Sequence, residues 1–215
     1  VDRVRSYARR QHADPVPVDI VREAQNALRS LKAELRPFVV IRPPFSLSAD
    51  DASKRRLIMR GDPLEIELLL LNVMKNAAEA VQGLPDGAVL VKFRRETLPS
   101  PLAENPSPSP AAPSAEAVIV EVEDNGPRLS DEAFERLTRV SQSVKDEGLG
   151  LGLGIVRSLV EENGGRIAIT RREDLSGRGL RVTLCFDLDA EGLKAQSAPH
   201  TDPADKSAAQ GSPNV

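Results

Sequence analysis

Two asparagines four residues apart, Asn72 and Asn76, lie in the run Leu71-Asn72-Val73-Met74-Lys75-Asn76-Ala77-Ala78-Glu79-Ala80. At helical pitch this spacing puts both amides on one face. Asparagine forms helix poorly, so the pairing is unusual there. An amide oxygen can serve a hard cation without adding charge, which suits Mg2+ bridging phosphates. A pair of merely exposed side chains fits the same spacing.

A second segment, Val122-Glu123-Asp124-Asn125-Gly126-Pro127, places a carboxylate where a strand meets a turn. Asp124 there can accept a hydrogen bond from an amino group such as that of adenine, and Gly126 lets a ring approach the backbone. Asn-Gly is also an ordinary turn pair. The third segment is Gly148-Leu149-Gly150-Leu151-Gly152-Leu153-Gly154-Ile155-Val156. Each glycine costs order, so four alternating ones require a reason. Free backbone N–H groups ahead of a helix N-terminus make a phosphate cradle, and a flexible hinge is the plainer alternative. The spacing is not the dinucleotide G-x-G-x-x-G, because positions 153 and 155 are Leu and Ile, and with no Gly-Lys pair there is no P-loop.

The elements that would position these residues follow from periodicity. Asp19 caps a helix expected to run to about Leu35, with Ile20, Ala24, Ala27, Leu28, Leu31 and Leu35 at helical spacing. Phe38–Ile41 and Leu57–Met59 read as short strands. Asp62-Pro63 opens a helix that runs to about Gln82 and carries both asparagines. Strands are expected at Ala88–Glu96, Ala117–Glu123, Ile167–Arg171 and Leu180–Leu188, and helices at Asp131–Arg139 and Gly152–Glu162. Residues 1–12 read as the end of a helix, residues 13–189 as one domain, and residues 190–215 as a polar tail. A proline-rich insertion interrupts the domain at 97–116, and a polar, glycine-bounded loop occupies 139–151. The fold class is α/β: a two-layer sandwich with a mixed, largely antiparallel sheet and helices on one face. Regular βαβ alternation is missing, which argues against a doubly wound nucleotide fold.

In this order the three segments resemble the N, G1 and G2 boxes of the histidine-kinase branch of the gyrase, chaperone, histidine-kinase and mismatch-repair ATPase superfamily. The resemblance spans roughly Asp19 to Leu188. Asn76-Ala77-Ala78-Glu79-Ala80 is similar to the nitrogen-regulation, oxygen-sensing and dicarboxylate-sensing kinases, and Val1–Gln11 resembles the end of the second dimerisation helix that precedes this domain. The resemblance implies a Bergerat-type ATP-binding fold, with ATP and Mg2+ as cofactors. It also implies donation of the γ-phosphoryl group to a histidine in the dimerisation domain of a two-component sensor kinase, with a response regulator downstream. By the same resemblance Asn76 holds Mg2+ and Asn72 supports the metal or phosphates. Asp124 takes the adenine amino group with Gly126 beneath the ring. Gly148, Gly150 and Gly152 shape the hinge of an ATP lid and face the phosphates, and Leu153 completes the cofactor-binding set. Lys145 touches the γ-phosphate, and Phe134 anchors the lid. The chain departs from the pattern at Arg128, where the family has its second G1 glycine, at Leu137-Thr138-Arg139-Val140 in place of an aromatic-rich lid start, and at Glu79 in place of a lysine.

Hydrolysing branches carry a glutamate four residues before the metal asparagine. Here that position is Asn72, a poor base, which favours transfer to an outside nucleophile over hydrolysis. Neither histidine, His12 nor His200, sits in a helical, acidic context suited to a phospho-acceptor. The acceptor is therefore expected upstream of Val1, and the chain reads as a fragment of a homodimeric parent. A scaffold with a degenerate site and an anti-sigma-type serine kinase are the competing readings.

Composition sets outer limits. The chain has 215 residues, 40% hydrophobic and 28% charged, with net charge -3. That balance predicts no bulk attraction to nucleic acid. The arginine pairs, among them Arg171-Arg172, read as solvated strand ends and helix faces. A single cysteine, Cys185, allows no internal disulfide and fits a reducing, cytoplasmic location, with an inner-membrane parent equally compatible.

Overall fold

The computed structural model describes residues 14–42, 56–98, 115–140, 151–172 and 178–191, and no side-chain surroundings for residues 115, 139, 140, 151 and 152. The expected helix end at 1–12, most of the proline-rich insertion, most of the lid and nearly all of the tail lie outside the described residues.

The chain opens with β1 (Val16–Asp19), a strand that the Asp-Pro-Val-Pro sequence conceals. Its partner is β3 (Ile58–Gly61), antiparallel, with Val18 opposite Met59. This pair forms its own two-stranded sheet, so the strand expected near Leu57 exists but does not join the main sheet. Asp19 caps α1 (Ile20–Ser30) by accepting from the Val21 N–H at 3.2 Å. The helix stops five residues short of the expected Leu35. Leu31 turns to extended backbone, and the Arg36 Nε donates to the Leu31 carbonyl at 2.7 Å, satisfying a terminal acceptor. Leu31 and Leu35 remain buried, which is why the helical spacing seemed to continue through them.

A 3-10 turn takes Phe38, and β2 (Val39–Arg42) follows. Asp62 then caps α2 (Pro63–Val81), accepting from Leu64 N–H at 2.8 Å and Glu65 N–H at 3.4 Å, with Pro63 at the first helical position. The remaining elements are β4 (Val89–Leu98), β5 (Ala115–Asp124), α3 (Asp131–Val140), α4 (Leu151–Glu162), β6 (Arg166–Arg171) and β7 (Leu180–Asp187). The main sheet runs β2-β4-β5-β7-β6. Only β2 and β4 pair in parallel; the other three pairings are antiparallel. This is the expected mixed, largely antiparallel sheet.

Strand alternation places Val118, Val120 and Val122 of β5 on the face that α2 covers. Against them α2 sets Ile66, Leu69, Leu70, Val73, Met74, Ala77 and Ala78, with α1 and α4 packed on its flanks. Each large side chain so buried contributes about 1.5–3 kcal/mol, which fixes α2 at the centre of the helical layer. Asn163, just beyond α4, ties that layer together. Its Oδ1 accepts from the Asp62 N–H at 3.0 Å, and its Nδ2 donates to Glu65 at 2.9 Å and to the Leu159 carbonyl at 2.8 Å.

Candidate nucleotide site

The buried stripe of α2 leaves Asn72 and Asn76 half-buried along one flank, with Ala80 next in the same i, i+4 series. The Asn72 Nδ2 donates to the Leu68 carbonyl at 2.8 Å, so its amide is held against its own helix. Among the described residues the Asn76 side chain has no hydrogen-bond partner. Glu79 is exposed and paired with Lys75 at 3.1 Å.

Gly126 connects this helix to the end of β5. A Cβ there would lie 3.3 Å from the Ala80 carbonyl oxygen, 3.4 Å from the Ala80 Cβ and 2.8 Å from the Asp124 Oδ1. Only a residue without a side chain fits that approach. Along α2, Asn76 is about 6 Å and Asn72 about 12 Å from Ala80. The structure therefore brings Asp124 and Gly126 to the Ala80 end of the helix flank that carries Asn76 and, one turn further on, Asn72.

Asp124 is 6% exposed. Its Oδ1 accepts from the Gly126 N–H at 2.8 Å and the Leu180 N–H at 3.3 Å. Burial pushes its carboxyl above the usual range, against the pull of those two N–H groups and of the Arg172 charge. The neighbouring Asn125 fixes the strand end: its Oδ1 accepts from the Ala88 N–H at 2.8 Å, and its Nδ2 donates to the Asp86 carbonyl at 2.6 Å. Arg128 is exposed, and no described non-glycine residue has positive φ, so the turn after Pro127 accommodates an arginine without strain.

Two residues that the sequence reading placed at a solvated strand end belong to this region. The Arg171 guanidinium lies 4.5 Å from the Phe134 ring centroid, pairs with Asp131 at 2.7 Å and donates to the Ser130 carbonyl at 3.2 Å. It fastens α3 to β6. Arg172 donates to the Asp124 carbonyl at 3.1 Å. Neither contact is visible without the sheet order, because they join residues 41 and 48 positions apart.

Lys145, Gly148 and Gly150 lie outside the described residues. Gly152 and Leu153 fall in the first turn of α4, where backbone N–H groups lack intrahelical acceptors, and Leu153 is 9% exposed. His12 and His200 also lie outside. A separate cleft of about 630 Å³, lined by Arg60, Asp62, Asn163 and Phe186 among others, contains none of the expected site residues.

Comparison with known proteins decides the family. Residues 61–190, more than half of the chain, match the family described as histidine kinase-, DNA gyrase B-, and HSP90-like ATPase. The chain belongs to this ATPase family. Among relatives, the nitrogen regulation protein NtrY of Azorhizobium caulinodans is 30% identical over 142 residues, 64% of this chain and 16% of that protein. The C4-dicarboxylate transport sensor protein DctB of Rhizobium meliloti is 27% identical over 172 residues, 78% of this chain and 23% of the relative. The sensory histidine kinase/phosphatase NtrB of Klebsiella oxytoca is 32% identical over 109 residues, 51% of this chain and 29% of the relative. The ATPase-family chain thus spans under a third of each of these relatives.

The fold agrees with that of the mycobacterial sensor histidine kinase MprB, at TM-score 0.57 and 18% identity over 81% of this chain and 97% of that one. It also agrees with the catalytic domain of the histidine kinase ThkA, at 0.57 and 18% over 82% and 98%. The expected Bergerat-type architecture is therefore borne out. Among the described residues no helix is long and apolar enough to cross a membrane, and no group of three His, Cys, Asp or Glu side chains could hold a metal.

Proposed function

We propose that the chain binds ATP with Mg2+ and donates the γ-phosphoryl group to a histidine in the dimerisation domain of a longer sensor kinase. A response regulator would lie downstream, and the site would face the cytoplasm. The observation that carries this reading is the meeting of Asp124 with the amide flank of α2 through the Gly126–Ala80 approach.

The donor set suits a nucleotide with its metal. Asp124 keeps Oδ2 for a ligand while Oδ1 is occupied by two backbone N–H groups. Asn76 offers an amide oxygen without a partner among the described residues, one turn of α2 from Ala80, and Mg2+ takes few protein ligands when phosphate oxygens and water supply the rest. When bound, the cation would supply positive charge against the phosphates of the nucleotide. Asn76 orients that end of the nucleotide, and Asn72 supports it from the next turn of the same flank. The N-terminal turn of α4, at Gly152 and Leu153, presents N–H groups to anionic oxygens. Lys145, Gly148 and Gly150 are assigned the lid side of the phosphates. In the transfer the bond from phosphorus to the ADP oxygen breaks and a phosphorus–nitrogen bond to the histidine forms. Asn72 cannot act as a base toward water, which favours this transfer over hydrolysis.

The test mixes the chain with γ-labelled ATP, Mg2+ and the dimerisation segment of its parent protein. Acid-labile, base-stable label on the segment's histidine supports the reading. Rapid release of free phosphate, or label on a serine, contradicts it.

A further inference from the structure

The base of the β6–β7 hairpin closes on Asp124 from the neighbouring strand of the sheet. The Arg172 N–H donates to the Gly179 carbonyl at 3.3 Å, which pairs the two hairpin arms where they leave the sheet. Gly179 has φ +84° and lies against the Asp124 carbonyl. The next residue, Leu180, gives its N–H to Asp124 Oδ1, and the Arg172 Nη1 donates to the Asp124 carbonyl. Asp124 is thus held at its backbone oxygen by a guanidinium and at one carboxylate oxygen by two N–H groups. Only Oδ2 is left to meet a ligand.

We propose that Arg172 is a positioning residue that fixes Asp124 as a pure hydrogen-bond acceptor and thereby sets the preference of the site for a 6-amino purine over a 6-oxo purine. The inference rests on the reading of Asp124 as the purine-binding group. An ionised carboxylate only accepts, which matches an exocyclic amino group and opposes an exocyclic oxygen. Once protonated, Oδ2 becomes a donor and the match reverses. Sites that read a base through one buried polar group discriminate strongly because the wrong partner leaves that group unpaired.

The surrounding charges single out Arg172. From the loop before β7, Arg178 pairs with Asp86 at 3.6 Å. On β5, Glu123 points to the opposite face of the sheet and is held by Lys92 and Arg181. From α2, Ala80 faces Gly126, and the adjacent Glu79 is paired with Lys75. Burial raises the Asp124 carboxyl; the Gly126 and Leu180 N–H groups oppose this rise, and Arg172 adds the one charge among the opposing groups.

The experiment measures binding of ATP and of GTP, each with Mg2+, to the full chain between pH 5 and 8.5, with thermal melts as a folding control. Variants are Arg172→Ala, Arg172→Lys and Arg172→Gln, the last keeping an N–H donor for the carbonyl without the charge. The wild type should favour ATP and lose that preference on acidification. Arg172→Ala and Arg172→Gln should lower the ATP-to-GTP ratio roughly fivefold or more, with the loss beginning at higher pH, and Arg172→Lys should recover much of it. Equal weakening of both nucleotides with an unmoved pH profile overturns the proposal and leaves ATP binding intact. A wild type that binds neither nucleotide overturns the parent reading and this one together.

Discussion

Gly179 lies so close to Asp124 that any side chain at position 179 would overlap the Asp124 carbonyl oxygen. Its φ of +84° is a second barrier to substitution. Gly179→Ala should therefore cost about 2–3 kcal/mol of stability, combining left-handed strain with displacement of the strand end. Denaturant unfolding should show the loss, together with weaker ATP binding. A variant of unchanged stability and affinity would mean that the hairpin base does not constrain Asp124.

Asp124→Asn separates binding from folding. The folded state holds the carboxyl above its unfolded value, so stability falls as pH rises from the ordinary carboxylate range through the raised one. Asparagine removes that cost and can still accept from Gly126 and Leu180 through its oxygen. The variant should melt at or above the wild type at pH 7, and the difference should shrink in acid. Its ATP affinity should drop at least about tenfold, as expected when one charged hydrogen-bond partner is lost. Thermal melts at several pH values and calorimetry check the two halves.

Glu123 behaves in the opposite sense. It is 6% exposed, accepting from Lys92 at 2.7 Å and Arg181 at 2.8 Å. Burial raises its pKa, but the two cations prevail and hold the carboxyl below its usual value. Its contribution is complete above the ordinary glutamate pKa and is lost as pH falls through the lowered one. Glu123→Gln should cost about 1–2 kcal/mol at pH 7, between exposed and buried pairs because both cations are partly solvated. The gap should close in acid, and ATP affinity should stay unchanged.

Local chemistry made much of this structure readable in advance. Asp62 and Pro63 mark the start of α2 because capping is settled within four residues, and the apolar spacing of Ile66, Leu69, Leu70 and Val73 fixes its buried face. Asn76, Asp124 and Gly126 were recognisable as residue types whose order mattered. β1 was not legible, because four residues containing Pro17 become a strand only when β3 arrives from 40 residues away. Arg171 and Arg172 were missed for the same reason. Their partners, Phe134 and Asp124, are supplied by the β5-β7-β6 order, which no local window contains. Apolar spacing does not reveal the end of α1, because Leu31 and Leu35 are core residues beyond the helix.

The most direct measurement is calorimetric titration of the chain with ATP, with and without Mg2+, alongside Asn76→Ala and Asp124→Asn. A shared pocket predicts Mg2+-dependent binding to the wild type, loss of the Mg2+ dependence in Asn76→Ala, and loss of adenine-nucleotide binding in Asp124→Asn while both variants stay folded. Heat of binding that neither substitution alters, or none with the wild type, would contradict it.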